Sequence, residues 1–143
     1  MIGNRYYLAG PMSGWPEHNF PAFHAAAARL RSRGYVVMNP AENVAPDADT
    51  SKEETKRRAY YMRLDLFQIM GRNPRTKPVD AVVLLPDWHR SRGARLEVEV
   101  ALQLDIPVLW ADTLQHLTEG DLDVAREYLH DEYLKPNYKG VSA

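Results

Sequence analysis

The run from Ser91 to Glu97, Ser-Arg-Gly-Ala-Arg-Leu-Glu, carries the side chains of this sequence that are best suited to chemistry. It follows an apolar, β-branched segment at residues 79–85 that is typical of a buried strand, and it opens a predicted helix. The run therefore lies at the carboxyl end of the strand, which is the edge where open parallel sheets bind ligands. At that edge Glu97 has two possible roles. It is a nucleophile or base, or it is a solvated first-turn carboxylate stabilised by the helix dipole.

Other common catalytic chemistries have little support in the sequence. The chain contains no cysteine, which excludes a thiolate nucleophile, a disulfide and a cysteine-based metal site. Its histidines show no HxH, HExxH or HxxxH spacing and no serine lies in a GxSxG elbow, so we expect no metal and no cofactor. Carboxylate chemistry remains. Glu97 and Glu99 diverge by about 200° on a helix, so only Glu97, four residues after Gly93, faces the edge.

Three further features are candidates, and each has a plain structural explanation as well. A turn after the first strand could bind a phosphate or sugar through its backbone N–H groups, or be only a tight connection. It is neither a Walker loop nor a GxGxxG turn, and it consists of Gly10, Pro11, Met12, Ser13 and Gly14. Asp65 lies in the middle of a predicted helix, where a lone aspartate is more often exposed to solvent. Tyr7 lies on the first strand, where its hydroxyl points to the edge or packs in the core.

The elements that must position these residues alternate between strand and helix. Strands are predicted at residues 6–9, 35–38, 79–85 and 106–110. Helices are predicted from about residue 21 to Gly34, at 51–70, after Gly93, at 114–117 and at 119–134. This alternation predicts one α/β domain over residues 1–143, a three-layer sandwich around a parallel sheet of four to five strands. Right-handed crossovers bring the ends of the first three strands to one edge.

Local signals support the helix assignments. Asn19 is a predicted N-cap before Pro21, and Ser51 with Glu54 forms a capping box. The second helix carries an apolar set that we expect to be partly a core face, namely Tyr60, Tyr61, Leu64, Phe67 and Ile69. The tail from about residue 135 has no pattern, so we expect it to be mobile.

Composition limits the possible functions. The chain has 143 residues, of which 26% are charged and 45% hydrophobic, as in soluble globular domains. A net charge of -1 argues against a nucleic-acid polymer as partner. No apolar stretch approaches the ~18 residues of a membrane span, and the N-terminus runs into a strand instead of a signal peptide. We therefore expect a cytoplasmic protein with no membrane partner.

Three blocks of the sequence together resemble the nucleoside 2-deoxyribosyltransferase superfamily. The similarity is greatest to its small phage and bacterial branch, which is described as a domain of unknown function (DUF4406). The blocks are Tyr7 to Gly14 with Asn19-Phe20, Asn39-Pro40-Ala41-Glu42, and Ser91-Arg92-Gly93-Ala94 with Glu97 and Ala101. The resemblance implies a flavodoxin-like, or Rossmann-like, fold, in agreement with the alternation of elements. It also implies a homodimer or a larger homo-oligomer.

The resemblance further implies chemistry on the N-glycosidic bond of nucleosides or their 5′-monophosphates. Glu97 would attack the anomeric carbon C1′, because a carboxylate both stabilises and traps an oxocarbenium-like transition state. Asp65 would protonate the leaving base or orient the sugar, and Tyr7 would hold Glu97 by a hydrogen bond. The substrate-binding residues that the resemblance implies are Gly10, Pro11, Met12, Ser13, Gly14, Asn39, Ser91, Arg92 and Gly93.

One departure from the family pattern concerns the substrate. Transferases that act on free nucleosides carry an aspartate six residues before the nucleophile, and this chain has Ser91 there. A carboxylate would repel a 5′-phosphate, whereas a hydroxyl between Arg90 and Arg92 at a helix N-terminus would bind one. This resembles the deoxynucleoside 5′-monophosphate N-glycosidases, so we predict hydrolysis of a nucleoside 5′-monophosphate. A base-exchanging transferase and a non-catalytic nucleotide-binding or sensing protein are the alternatives.

Overall fold

The computed structural model describes residues 2–43 and 54–133 and, within them, the side chains of 2–43 and 58–127. Its strands are β1 (Arg5–Ala9), β2 (Val36–Met38), β3 (Ala81–Leu84) and β4 (Val108–Trp110). Its helices are α1 (Phe20–Ser32), α2 (Glu54–Met70), α3 (Arg92–Gln103) and α4 (Glu119–Tyr133). The predicted capping residue Ser51 and the predicted mobile tail lie outside the described residues.

The four strands form one parallel sheet in the order β2-β1-β3-β4. Tyr7 of β1 is in register with Met38 of β2 on one side and with Val82 of β3 on the other. The chain moves outward from β1 to β2, returns to β3 and then continues the other way to β4. The order of strands therefore reverses between β1 and β3, and the crevice above that point is where such sheets hold ligands.

Helices cover both faces of the sheet, because the side chains of each strand alternate between two cores. Tyr6 and Leu8 pack with a buried stripe of α1, at Phe23, Ala26, Ala27 and Leu30. Tyr7 and Ala9 face the other way, toward buried residues of α2, α3 and α4. The predicted α/β fold with a parallel sheet is therefore confirmed.

The prediction of a short helix at residues 114–117 is wrong. This segment turns back against β4, where Leu109 and His116 form an antiparallel bridge. The Trp110 N–H donates to the Gln115 carbonyl, and the Leu117 N–H donates to the Val108 carbonyl. Leu114 has a left-handed φ of 59°, which no helix tolerates. Backbone pairing with the edge strand thus replaces a helix that would be only one turn long.

The apolar set on α2 is partly a core face, as expected: Ile69 is fully buried, Tyr61 and Leu64 are half-buried, and Tyr60 and Phe67 are 54% and 48% exposed. One expectation about a side chain differs from the structure. Asn19 precedes α1 as predicted, but its side chain does not cap the helix. It donates from Nδ2 to the Pro11 carbonyl at 2.9 Å. Within the described residues, no helix is long and apolar enough to cross a membrane.

Candidate functional site

The turn after β1 begins at Gly10, a position where a larger residue would collide with its neighbours. A Cβ on Gly10 would lie 2.8 Å from the Leu85 Cβ, closer than real side chains approach. Gly14 has a φ of 81°, the left-handed region that favours glycine. Between them Pro11 is buried, Met12 is half-buried and Ser13 is exposed. The turn therefore fits tightly against the loop after β3 at one end and opens to solvent at the other.

Ser91 begins α3 at the same edge of the sheet. Its backbone is extended, and its Oγ accepts a hydrogen bond from the Ala94 N–H at 3.2 Å, as an N-cap does. A hydroxyl that accepts at a cap still has its own proton to donate. Arg90 and Arg92 flank it with exposed side chains. The predicted anion-binding residues therefore lie together at a helix N-terminus.

Three titratable side chains meet behind this edge. Tyr7 of β1 is fully buried, Glu97 of α3 is 6% exposed, and Asp65 of α2 is half-buried. The Tyr7 hydroxyl interacts with both carboxyl groups. The general expectation that a lone mid-helix aspartate is solvent-exposed is therefore wrong for Asp65. The structure brings together the three residues predicted to be catalytic.

Burial and mutual repulsion raise the pKa values of this cluster. Loss of solvent, and then the negative charge of Asp65, raise the pKa of Glu97 to about 8, although its interaction with Tyr7 opposes the rise. Loss of solvent raises the pKa of Asp65 to about 6, although its interactions with Asn43 and Tyr7 oppose the rise. Burial also raises the pKa of the Tyr7 hydroxyl well above its usual range, with a further contribution from the Glu97 charge. At neutral pH the pair of carboxyls thus holds one proton, a common basis for acid and base roles.

Two atoms of this cluster have no complete hydrogen bond. Tyr7 Oη and Glu97 Oε2 are both buried, and neither has a partner with full hydrogen-bond geometry among the described residues. Their interaction with each other is therefore looser than a regular hydrogen bond. A buried polar group without a partner costs about 1–3 kcal/mol, and such groups in native proteins often serve binding or catalysis.

Gly93 has no side chain where the N-terminus of α3, Met62 and the Glu97 carboxylate approach one another. A Cβ on Gly93 would lie 3.2 Å from Met62 Cε, 3.9 Å from Ser91 Oγ and 4.0 Å from Glu97 Oε1. One point in space is thus within contact distance of a methyl, a hydroxyl and a carboxylate. The absence of a side chain at Gly93 keeps this point empty. We call the space bounded by Ser91, Gly93, Glu97 and Met62 the Gly93 niche.

Asn39 has a structural role at the end of β2. It is 3% exposed, and its Oδ1 accepts from the Ala41 N–H at 3.0 Å. Its Nδ2 lies 3.2 Å from His24 Nδ1. The carboxamide is thus occupied in fixing the turn at Pro40–Glu42, and its contact with a substrate stays a prediction.

Sequence reasoning missed three residues around the site. Met62 borders the niche, and Asn43, whose Nδ2 donates to Gln68 Oε1 at 2.9 Å, also interacts with Asp65. Arg95 is 1% exposed, and its Nη1 donates to the His89 carbonyl at 2.7 Å, which holds the turn leading into Ser91. The available signal was helical spacing, since Met62 lies three residues before Asp65 on α2. Nothing in the charge pattern indicated that Arg95 would be buried.

Comparisons with known proteins agree with this architecture. Residues 4–110 match the protein family described as "Domain of unknown function (DUF4406)". No curated protein matches the sequence. A 2-deoxyribosyltransferase from the psychrotolerant bacterium Bacillus psychrosaccharolyticus has a similar structure, with a TM-score of 0.57 and 23% identity over 74% of this chain and 70% of that chain. The predicted flavodoxin-like fold is thus confirmed. By the match over residues 4–110, the chain belongs to the DUF4406 family.

Proposed function

We propose that the protein hydrolyses the N-glycosidic bond of a nucleoside 5′-monophosphate, with Glu97 as the nucleophile. The observation that carries the proposal is the Gly93 niche, where the Ser91 hydroxyl and the Glu97 carboxylate lie 3.9 Å and 4.0 Å from the Cβ position of Gly93. The unsatisfied Tyr7 hydroxyl and Glu97 oxygen beside it add support. The similar structure of a 2-deoxyribosyltransferase is consistent with this class of chemistry.

The phosphate would bind at the N-terminus of α3. The unpaired N–H groups and the dipole of a helix N-terminus attract an anion. Ser91 adds a hydroxyl donor, and the exposed Arg92 adds positive charge. A phosphate bound there places the sugar over Gly93 and directs C1′ toward Glu97.

The raised pKa of Glu97 requires that a proton leave before attack. The Tyr7 hydroxyl interacts with both carboxyls, so it can take the proton of Glu97 while it gives its own to Asp65. Glu97 is then an ionised nucleophile and Asp65 a general acid. The Glu97 oxygen bonds to C1′ as the C1′–N bond breaks, and the base nitrogen keeps the electron pair and takes the proton of Asp65.

A second step releases the sugar. The Asp65 carboxylate takes a proton from water, and the resulting hydroxide bonds to C1′ as the ester bond to Glu97 breaks. Glu97 leaves as a carboxylate and Asp65 is protonated again, so the cycle is balanced. A transferase would follow the same first step, with an acceptor base instead of water in the second. The structural neighbour is a 2-deoxyribosyltransferase, which favours this alternative.

The test is a panel of nucleosides and nucleoside 5′-monophosphates, with and without an added free base. We expect free base and sugar phosphate from monophosphates without any acceptor. We also expect a sugar adduct on Glu97 by mass spectrometry of the quenched enzyme. Glu97→Gln removes both products, whereas Glu99→Gln, the matched change two residues further on, retains them. Release that requires an acceptor base indicates the transferase, and ligand-induced thermal stabilisation without product indicates a nucleotide-binding protein.

We also propose that the protein acts as a homo-oligomer in the cytoplasm. Tyr60, Phe67 and Met70 on the outer side of α2 are 54%, 48% and 50% exposed, an amount of apolar surface that favours association. Light scattering coupled to size exclusion would measure the mass. A monomer at micromolar concentration contradicts this proposal and leaves the proposed chemistry untouched.

A further inference from the structure

The turn between β3 and α3 carries Ser91, and backbone hydrogen bonds define its path. The Arg90 N–H donates to the Asp87 carbonyl at 3.0 Å, and the Ser91 N–H donates to the Trp88 carbonyl at 2.9 Å. Asp87 enters the turn with a left-handed φ of 62°. A single turn of 3-10 helix, Trp88–Arg90, is too short to be stable by its own bonds. The direction of the Ser91 side chain therefore depends on what holds this turn from outside.

Arg95 binds the turn from the interior of the protein. Its Nη1 donates to the His89 carbonyl at 2.7 Å, and its backbone N–H donates to the Ser91 carbonyl at 2.9 Å. A hydrogen bond from a charged guanidinium is stronger than one between neutral groups. The His89 carbonyl and the Arg90 N–H belong to one peptide group, which is thus bonded at both ends. The Arg95 side chain therefore fixes the orientation of the peptide just before Ser91.

The Arg95 side chain lies away from the Gly93 niche. Arg95 and Glu97 are two residues apart, so their side chains diverge by about 200° around the axis of α3. Arg95 is 1% exposed and lines a cavity together with Trp88 and the α4 residues Leu122 and Ala125. Arg95 is thus placed to affect a substrate in the niche through the turn, without touching it.

We propose that Arg95 is a positioning residue for the substrate phosphate. It holds the turn so that Ser91 Oγ and the first N–H groups of α3 face the phosphate. The proposal rests on the proposed function, since it takes the phosphate to bind at that helix N-terminus. A misplacement of about 1 Å in a binding site can cost about 100-fold in rate. Loss of the Nη1 bond should therefore lower kcat/KM for a monophosphate by about 10- to 100-fold, chiefly through KM.

The test compares a nucleoside 5′-monophosphate with the free nucleoside that carries the same base. Arg95→Met removes the donor and keeps an apolar stem, and Arg95→Gln ends short of the Nη1 position. Both variants should lose activity on the monophosphate and retain it on the nucleoside, which has no phosphate to position. Arg95→Lys keeps a charged donor and should recover most of the lost kcat/KM.

Arg126→Met is the matched control. Arg126 borders the same cavity, but its side chain is 56% exposed and its Nη1 donates to Asp123 Oδ1 at 3.2 Å, away from the turn. This variant should keep the wild-type ratio of kcat/KM for the two substrates. Circular dichroism identifies which variants fold.

The outcomes separate this proposal from the proposed function. Equal losses on both substrates, or no recovery in Arg95→Lys, overturn the positioning role while hydrolysis stands. Failure of both Arg95→Met and Arg95→Gln to fold overturns it as well, since Arg95 then serves the stability of the core. If the wild type cleaves no nucleotide, the proposed function fails, and the Kd of inorganic phosphate, measured by calorimetry, decides the role of Arg95. A Kd at least about tenfold higher in Arg95→Met but unchanged in Arg126→Met supports the role. An unchanged Kd in Arg95→Met, or no phosphate binding by the wild type, overturns it.

Discussion

Replacing Gly93 by alanine separates the effect of the niche on folding from its effect on substrate binding. Gly93 is the second residue of α3, and its φ is outside the left-handed region, so the backbone accepts alanine. The added methyl would lie 3.2 Å from Met62 Cε, the far end of a flexible side chain that can move by a few tenths of an ångström. Alanine in a helix gains up to about 1 kcal/mol over glycine through lower backbone entropy. We therefore expect the free energy of unfolding of Gly93→Ala to lie within ~1 kcal/mol of the wild-type value.

The same methyl would occupy the space that the substrate needs. It would lie 3.9 Å from Ser91 Oγ and 4.0 Å from Glu97 Oε1, the groups proposed to bind the phosphate and to attack the sugar. Overpacking of a close-fitting site costs about 1–3 kcal/mol. At 1.36 kcal/mol for each factor of ten, kcat/KM should fall by about 5- to 150-fold.

Gly120 provides the matched control, because it is the second residue of α4. A Cβ there would lie 3.7 Å from Thr118 Oγ1, an ordinary contact. Gly120→Ala should therefore keep full activity and gain similar helix stability. The assays are chemical denaturation and base release from a nucleoside monophosphate. A Gly93→Ala protein that folds and retains full activity would refute the niche as the substrate site, and one that fails to fold would refute the geometric argument.

Four further predictions test the ionisable cluster and the phosphate site. Because folding raises the pKa of Glu97 from 4.5 to about 8, the folded state keeps a proton that the unfolded chain loses. The difference in Tm between the wild type and Glu97→Gln should therefore change in favour of the variant as pH rises from about 4.5 to about 8. Glu99→Gln is the control, and a Tm difference that does not change with pH would contradict the prediction. Tyr7→Phe removes the proposed proton relay and an interaction that lowers the pKa of Glu97, so kcat should fall and the alkaline limb of kcat/KM, where Glu97 loses the one proton of the pair, should move to higher pH; a limb that stays in place contradicts this. Asp65→Asn removes a charge that raises the pKa of Glu97, so Glu97 should ionise below about pH 8 and kcat/KM should rise with pH through that lower value, while kcat falls by about 10²- to 10⁴-fold; activity that appears only above about pH 8 would contradict the assigned sign. Ser91→Asp places a negative charge at the proposed phosphate site and should lower kcat/KM for monophosphates more than tenfold relative to free nucleosides, and an unchanged ratio would place the phosphate elsewhere.

Local sequence signals were enough to predict most of the architecture. Alternating apolar strands and helices predicted the parallel sheet, and the run from Ser91 to Glu97 was predicted to open a helix, which begins at Arg92 with Ser91 as its N-cap. Gly34, with a φ of 92°, follows α1 as predicted for a helix end. These features depend on hydrogen bonds and backbone conformations within a few residues, which the sequence encodes directly. Residues 114–117, wrongly predicted as a helix, differ in this respect because their conformation depends on backbone pairing with the neighbouring strand β4.

The sequence by itself determined which residues could carry the chemistry, and only the tertiary structure decided which of them meet. Asp65 alone on its helix indicated a solvent-exposed side chain, and only the packing of α2 on the sheet turns it toward Tyr7. The raised pKa of Glu97 follows from burial and from a carboxylate 32 residues away in the sequence, and no local pattern contains either. Met62 was missed for the same reason. An apolar residue on a helix is predicted to be part of the core, and only the fold shows that Met62 borders Gly93. Contacts between distant segments depend on the register of strands and the rotation of helices, and those are set by the whole core at once.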